Sequence, residues 1–376
     1  MAALGREGGD PLALMIEAAV RKRQGDVKIA CEKTKAAIAA NKLVGAVVAE
    51  ARASYQLATL DALCGRIPDS LRRLRYARST LRSAGYSRMY AACLNEIAYG
   101  VGRLLGNYHW AWFASERALE LSRAYRSAHA TAIYLDTQAQ LLLEMDRVDE
   151  AQKVIDEAIA LLGEDLTSTG QFAESLARRG MVYLRAGNLP RAIEDLEAAR
   201  RAQTQRGERL HLPDTLTSLA MAYALLGDAD RAVEASTEAL RVLAAVRGVN
   251  HQPQRILWNH YKILARFDRQ PRLHFLRRAV RSIEAQAARL TPAQAHRFRT
   301  RVPVNREILE AWAELHGAAA AGAEPSPVDV SVPPAGLEGP SPPVAAVDPE
   351  GRPSPPVAAP TPFETPEPPA PSLRVS

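Results

Sequence analysis

Cysteine is scarce in this chain. Only Cys31, Cys64 and Cys93 occur in 376 residues, far apart and with no CxxC pair. Neither a disulfide framework nor a thiolate zinc site is expected from them; they fit small buried residues of a reducing cytoplasm. Aromatic residues make up 6% of the chain, and Ala, Leu, Arg and Glu dominate instead, a composition that favours helix. No apolar run approaches the roughly 18 residues a membrane span requires. The opening MAALGREGGDP leads into an amphipathic helix, not an apolar core with a cleavage site, so no signal peptide is expected and the chain reads as soluble and cytoplasmic.

Catalytic signatures are missing as well. The chain has no phosphate-cradling loop ending in Lys-Ser/Thr, no HExxH, no GxSxG and no kinase motif. GREGGD near the start has glycines but neither a preceding strand nor the required spacing. The eight histidines are scattered; His251, His260 and His274 come nearest to a cluster, without a cysteine among them or metal-ligand spacing. The expectation is a protein that is not an enzyme and carries no cofactor or metal.

What the chain does have is repetition. From Glu174 it runs ESLARRGMVYLRAGNLPRAIEDLEAAR, and after a connection SLAMAYALLGDADRAVEASTEAL. Each copy places a small residue, a Tyr three later, a Gly four after that, then two Ala seven apart. These are Gly180, Tyr183, Gly187, Ala192 and Ala199, then Ala220, Tyr223, Gly227, Ala232 and Ala239. The last marker also recurs as Ala37, Ala77, Ala118, Ala158 and Ala279, so seven alanines stand at steps of 40 or 41. The first Ala marker follows as Ala30, Ser70, Ala111 and Ala151. The turn glycine follows as Gly25, Gly65 and Gly106, with Asp146 in the remaining turn. This pattern of helix, tight turn and second helix resembles the tetratricopeptide (TPR) repeat family. Its period exceeds the common unit of about 34 residues, which implies longer helices, as in the extended units of kinesin light chains and some bacterial regulators.

The resemblance implies an all-α, right-handed TPR-like superhelical solenoid of about seven helical pairs over residues 12–290. Residues 1–11 are expected to be a flexible start. Helix one carries Leu12, Met15, Ile16 and Ala19 at helical spacing, which reads as a core face. Trp110 and Trp112 read as packing residues. The seventh unit is degenerate, with Trp258, His260, Ile263 and Leu264 in its first helix, a turn at Arg269-Gln270-Pro271, and Arg272 where a small residue is usual. Terminal repeats depart from consensus because one side faces solvent. A capping segment over 291–316 follows, with Thr291 as its cap and Pro303 dividing it. It is similar to the end of TPR regions in bacterial signalling and transcription-regulating proteins. From Gly317 onward the chain holds 17 of its 25 prolines and repeats PSPPVAA; this acidic Pro/Ala-rich stretch is expected to be a disordered tail.

In the TPR family the first helix of each unit lines a concave groove. Carried over by position, the groove-facing places are Tyr55, Glu96, Arg103, Asp136, Gln140, Glu174, Arg185 and Thr217. The family's Lys/Asn clamp for a C-terminal carboxylate is not reproduced there, which argues against a chaperone-tail adapter. The formal charge of +6 hides an asymmetry, because residues 251–316 hold 13 Arg or Lys against five acids. Arg277, Arg278 and Arg281 form a basic patch with three open readings: phosphate contacts, an acidic protein partner or the chain's own tail, or a solvated surface. With no helix-turn-helix before the repeats, nucleic acid is not expected as a partner. Solenoid ends can pair, and a homodimer through the C-terminal repeats is an open arrangement. The expected function is a non-enzymatic bacterial protein–protein interaction scaffold that holds a protein or peptide segment in its groove. The alternative is a TPR sensor or regulator of a transcription or signalling pathway that binds a small peptide or effector.

Overall fold

The computed structural model describes residues 10–163, 169–269 and 273–320, and within them every element is helical. The helices pair in chain order. The first three pairs are α1 (Pro11–Gln24) with α2 (Val27–Leu43), α3 (Val47–Leu63) with α4 (Ile67–Ser83), and α5 (Ser87–Glu96), continued by a π-helical segment Ile97–Gly102, with α6 (Tyr108–Ala124). Next come α7 (Ala128–Glu144) with α8 (Val148–Leu162), α9 (Gly170–Arg185) with α10 (Leu189–Gln205), and α11 (Leu212–Leu226) with α12 (Ala229–Ala245). The last are α13 (Pro253–Arg266) with α14 (Leu273–Ala287) and the closing α15 (Pro292–Thr300) with α16 (Pro303–Ala320). The stretch expected to be a disordered tail lies outside the described residues beyond Ala320, as do Gln270, Pro271 and Arg272. Of the start expected to be flexible, Asp10 and Pro11 are described; Asp10 caps α1 by accepting from the Leu12 amide at 3.1 Å.

The repeat markers are what hold the pairs together. All seven period alanines, Ala37 to Ala279, are wholly inaccessible, and so are Ala30, Ser70, Ala111, Ala151, Ala192 and Ala232. Small residues let two helix axes approach closely where they cross. At Gly180 a Cβ would come within 2.6 Å of Leu196 Cγ and 3.2 Å of the Ala192 carbonyl oxygen, so the crossing of α9 and α10 has room only for hydrogen.

The sequence reading caught half of the turns. Left-handed residues stand at Gly25, Gly65, Gly106, Asp146, Gly187 and Gly227, inside the pairs, and also between pairs at Gly45, Gly85, Arg126, Gly207 and Arg247. At each the chain ends a helix the same way: the next amide reaches back to the carbonyl five residues earlier, as in Asp26 to Arg21 at 2.9 Å and Glu208 to Gln203 at 2.9 Å. This is the Schellman arrangement, which satisfies carbonyls that a helix end would otherwise leave open. A left-handed residue about every 20 positions makes helices of up to 17 residues joined by short turns. The length beyond the common unit is therefore helix, as expected.

The two steps of 41 have separate causes. Between Gly65 and Gly106 the extra residue is accommodated in the π-helical segment, which is how one residue is inserted without breaking a helix. Between Asp146 and Gly187 it falls in the longer connection from α8 to α9.

Two expectations change. The face Leu12, Ile16 and Ala19 on α1 is not core: Leu12 is 64% and Ile16 58% exposed, and only Ala18 of that helix is buried. Among the described residues α1 packs chiefly against α2. As expected, Pro303 divides the closing segment: it opens α16 after α15 has ended at Thr300, and its missing N–H costs nothing there. The closing segment is also a full helix pair running to Ala320, past the expected boundary at 316. Thr291 does cap it, in a reciprocal box with Gln294.

The path of the solenoid brings its early pairs against its late ones. Leu57, Leu60 and Leu63 of α3, with Val27 and Cys31 of α2, share one apolar cluster with Leu212 and Leu216 of α11, Leu243 of α12 and Val246. A Cβ at Gly25 would lie 2.8 Å from Val246 Cγ1, one at Gly65 would lie 3.4 Å from Gln286 Cγ, and one at Gly106 would lie 2.6 Å from Arg301 Cβ. The superhelix closes on itself, and its concave face becomes an interior.

Candidate functional site: a polar cavity inside the closed superhelix

The first helices of the third to seventh pairs, α5, α7, α9, α11 and α13, turn toward one another around a cavity of about 130 Å³. Its wall combines apolar side chains, Ile133, Ala177 and Met181, with polar groups charged in both signs. Asn95 and Tyr99 come from the third pair, Asp136 and Gln140 from α7, Glu174 and Arg178 from α9, and Asp214 and Arg255 from α11 and α13. Gln203, His211 and His251 also line it.

The charges are held in pairs. Arg255 donates to Asp214 at 2.5 Å, and the Asn250 amide donates to the other carboxylate oxygen at 2.7 Å. Burial alone would raise the Asp214 carboxyl; the Arg255 charge and the two hydrogen bonds outweigh it and hold it below the usual carboxylate range. Asp136 is in the opposite state. Burial pushes it up to about 6, with nearby Glu174 adding to the rise, and Arg178 at 3.4 Å only partly opposes this. Arg178 also donates to Gln140. His211 Nε2 stands 3.6 Å from Glu174.

The π-helical segment builds the remaining side. It places Tyr99 and Arg103 where the guanidinium lies over the ring, 4.7 Å from its centroid. Arg103 is 2% exposed and donates to Glu144 at 3.2 Å and to Gln252 at 3.3 Å. The Tyr99 ring meets His251 edge-on at 5.1 Å. Arg103 and Tyr99 thus latch the third pair to the segment before α13, 149 positions later in the case of Gln252. Burial, with the Arg103 charge next, keeps His251 well below the ordinary imidazole range, so it is neutral there.

Several polar atoms facing this interior have no partner among the described residues. They are Asn95 Oδ1, Asp136 Oδ1, His251 Nδ1, and both amide atoms of the fully buried Gln203. A buried polar atom left unpaired costs about 1–3 kcal/mol. Five of them around one cavity mark a place that water or a ligand completes.

Of the groove residues carried over from the family pattern, the structure brings Arg103, Asp136, Gln140 and Glu174 together on this cavity. Glu96 lies beside it: burial raises its carboxyl to about 7, Lys22 and Arg103 pull the other way, and its Oε1 is enclosed without a partner among the described residues. Tyr55 packs against the core cluster of α3 to α7, with its phenol raised by burial and by Glu96. Thr217 is buried in α11, and Arg185 is on the surface, paired with Asp146 of the preceding turn. Arg277, Arg278 and Arg281 lie exposed on α14, opposite its buried face of Leu276, Ala279 and Ile283. Sequence reasoning missed Tyr99, Arg178, Gln203, His251 and Arg255. The 41-residue step and the close glycines Gly100 and Gly102 were the available signal for Tyr99.

Among the described residues no group of three or more His, Cys, Asp or Glu is arranged to hold a metal ion, and no helix is long and apolar enough to cross a membrane. Trp110 and Trp112 pack partly buried against the core, as expected, and His260 is a core residue bonded to Ser236 at 2.8 Å.

Residues 171–245 match the tetratricopeptide repeat family model. No curated protein matches the chain. Among solved structures, a Rap protein complexed with competence and sporulation factor is similar at TM-score 0.51 and 12% identity, over 81% of this chain and 99% of that one. A signal transduction ATPase with numerous domains and a tetratricopeptide repeat sensor, from Pyrococcus horikoshii, is similar at TM-score 0.50 and 13% identity. The alignment covers 83% of this chain and about half, 49%, of that protein. At these identities the likeness is one of fold. The fully buried markers extend the matched pattern over the other pairs, and the chain is a TPR-like helical-repeat protein similar in fold to these two structures.

Proposed function

We propose that this chain is a non-enzymatic regulatory binding protein that takes a short polar peptide, or an effector of peptide-like chemistry, into its interior cavity. The observation that carries this reading is the set of five unpartnered polar atoms on a charged, partly open cavity. Peptides offer amide N–H and C=O groups in alternation, and Asn95, Asp136, Gln203 and His251 offer complementary acceptors and donors. Paired charges such as Asp214–Arg255 supply fixed dipoles without a large net charge. The early-to-late contacts favour a sensor over the open scaffold of the first expectation, because a long extended segment needs a groove with free ends. The rigid stack pre-organises the site, which lowers the ordering cost of binding. The helical pairs supply the protein-interaction surface, and occupancy of the cavity favours the closed form over any opened one by its differential affinity.

The test is to purify the full chain under native conditions and identify by mass spectrometry what denaturation releases, then repeat with Gln203→Leu and with Asn95→Leu. The expected result is a peptide-like species released from the wild type and depleted at least about tenfold in folded variants, as loss of one or two buried hydrogen bonds implies. Recovery of no such species, together with no rise in melting temperature on adding a mixed peptide pool, would overturn the reading.

A further inference from the structure

The three cysteines, far apart in sequence, are not equivalent in the fold. Cys31 lies in the second turn of α2 and Cys64 just past the last residue of α3, and packing of these helices brings both cysteines into one apolar cluster. Arg66, two residues beyond Cys64, extends its guanidinium to Cys31 Sγ at 3.5 Å. Its other end is anchored on Asp61 at 2.8 Å, and Asp61, itself buried, is also held by Arg73 at 2.9 Å. The cation is therefore fixed against Cys31 Sγ. Cys64 is partly exposed, whereas Cys31 is 8% and Cys93 0% exposed. Both sulfurs are free thiols.

We propose that Cys31 and Cys64 are a dithiol modification site that a hydroperoxide converts into an intramolecular disulfide. Cys64 is the attacking thiol, because it is the more accessible of the two. Its thiolate attacks the distal peroxide oxygen; the O–O bond breaks, and the alkoxide, or hydroxide in the case of hydrogen peroxide, leaves and takes up a proton. The product at Cys64 is a sulfenic acid. Cys31 Sγ then attacks the Cys64 sulfur, the S–O bond breaks, and water leaves with the thiol proton of Cys31. Two electrons pass from the sulfurs to the peroxide, and a thiol reductant reverses the change. The hydrogen bond from Cys31, then the Arg66 charge, lower the Cys64 thiol to about 7 against the opposing effect of burial, whereas burial pushes Cys93 up to about 12. The bridge would tie α2 to α3 within the apolar cluster that both share with α11 and α12, and so fix the early pairs where the superhelix closes.

The experiment is treatment of the reduced full chain with hydrogen peroxide, followed by alkylation and peptide mapping. Expected are a linked Cys31–Cys64 peptide lighter by two hydrogens and an unmodified Cys93. In the folded protein without peroxide, iodoacetamide should label Cys64 at least about tenfold faster than Cys93. Cys31→Ser should stop the reaction at a sulfenic acid on Cys64, trapped by dimedone, and Arg66→Gln should slow labelling of Cys64. A wild-type chain that stays folded in peroxide and yields no Cys31–Cys64 peptide would overturn the proposal. So would equal labelling of Cys64 and Cys93.

Discussion

The fifth helical pair, α9 and α10, and the third, α5 to α6, share one repeat pattern and do different work. In the fifth, every marker is in place: Gly180 admits Leu196, Ala192 and Ala199 vanish into the crossing, and Gly187 turns the chain. In the third, the markers Ala111 and Ala118 are equally buried, yet one extra residue converts Ile97–Gly102 to a π-helix. Gly102 permits it, since a Cβ there would meet Ala111 Cβ at 2.8 Å. The insertion aims Tyr99 and Arg103 at a segment some 150 positions onward. Regular pairs build the wall, and the irregular one latches it.

The largest expected effect breaks the latch. Arg103→Ala removes the partner of Glu144 inside the protein, and should cost about 3–5 kcal/mol in urea unfolding, because it leaves a buried charge uncompensated. Arg103→Lys should recover little of this, since one ammonium cannot reach Glu144 and Gln252 and also cover Tyr99. On the regular side, Leu196→Ala should cost about 2–5 kcal/mol through its cavity. Gly180→Val should cost about 1–3 kcal/mol by overpacking against Leu196, read in the same assay. A Gly180→Val protein as stable as the wild type would contradict the close crossing.

The smallest effect has the opposite sign and a pH signature. Glu96 titrates at about 7 in the fold and at 4.5 when unfolded. The folded state therefore holds this proton more tightly, so the carboxyl favours the fold at acidic pH, and that contribution is lost as pH rises from 4.5 through 7. Glu96→Gln should thus stabilise the chain at pH 8, on the order of 1 kcal/mol, and have less effect at pH 4.5. Equal effects at both pH values would show that Glu96 is not held in this way.

The regular part of the fold was legible because its cause is local. Close helix crossings demand small residues at fixed intervals, and the left-handed turn demands glycine or a tolerant residue, so Ala37 to Ala279 and Gly25 to Gly227 carry the period openly. The turns between pairs were harder to see, because Arg126 and Arg247 adopt the left-handed conformation without glycine. On α1 the apolar period was real, but periodicity says nothing about whether a neighbour is present to cover it. Half of the groove residues fell on the cavity because position within the first helix does decide which face is concave. Arg255, His251 and Gln203 were not legible, since they reach the cavity only through closure between distant units. The meeting of Cys31 and Cys64 depends likewise on how successive pairs stack.

Closure is the central claim, and a cross-link between early and late units tests it most directly. With the three native cysteines replaced by Ser, the double variant Gly65→Cys and Gln286→Cys joins positions where a Cβ at 65 lies 3.4 Å from Gln286 Cγ. Mild oxidation of the dilute protein should give an intramolecular disulfide in nearly every molecule, seen as faster migration without reductant and a linked peptide by mass spectrometry. A protein that remains folded and reduced, or that links only between molecules, would show that the superhelix stands open.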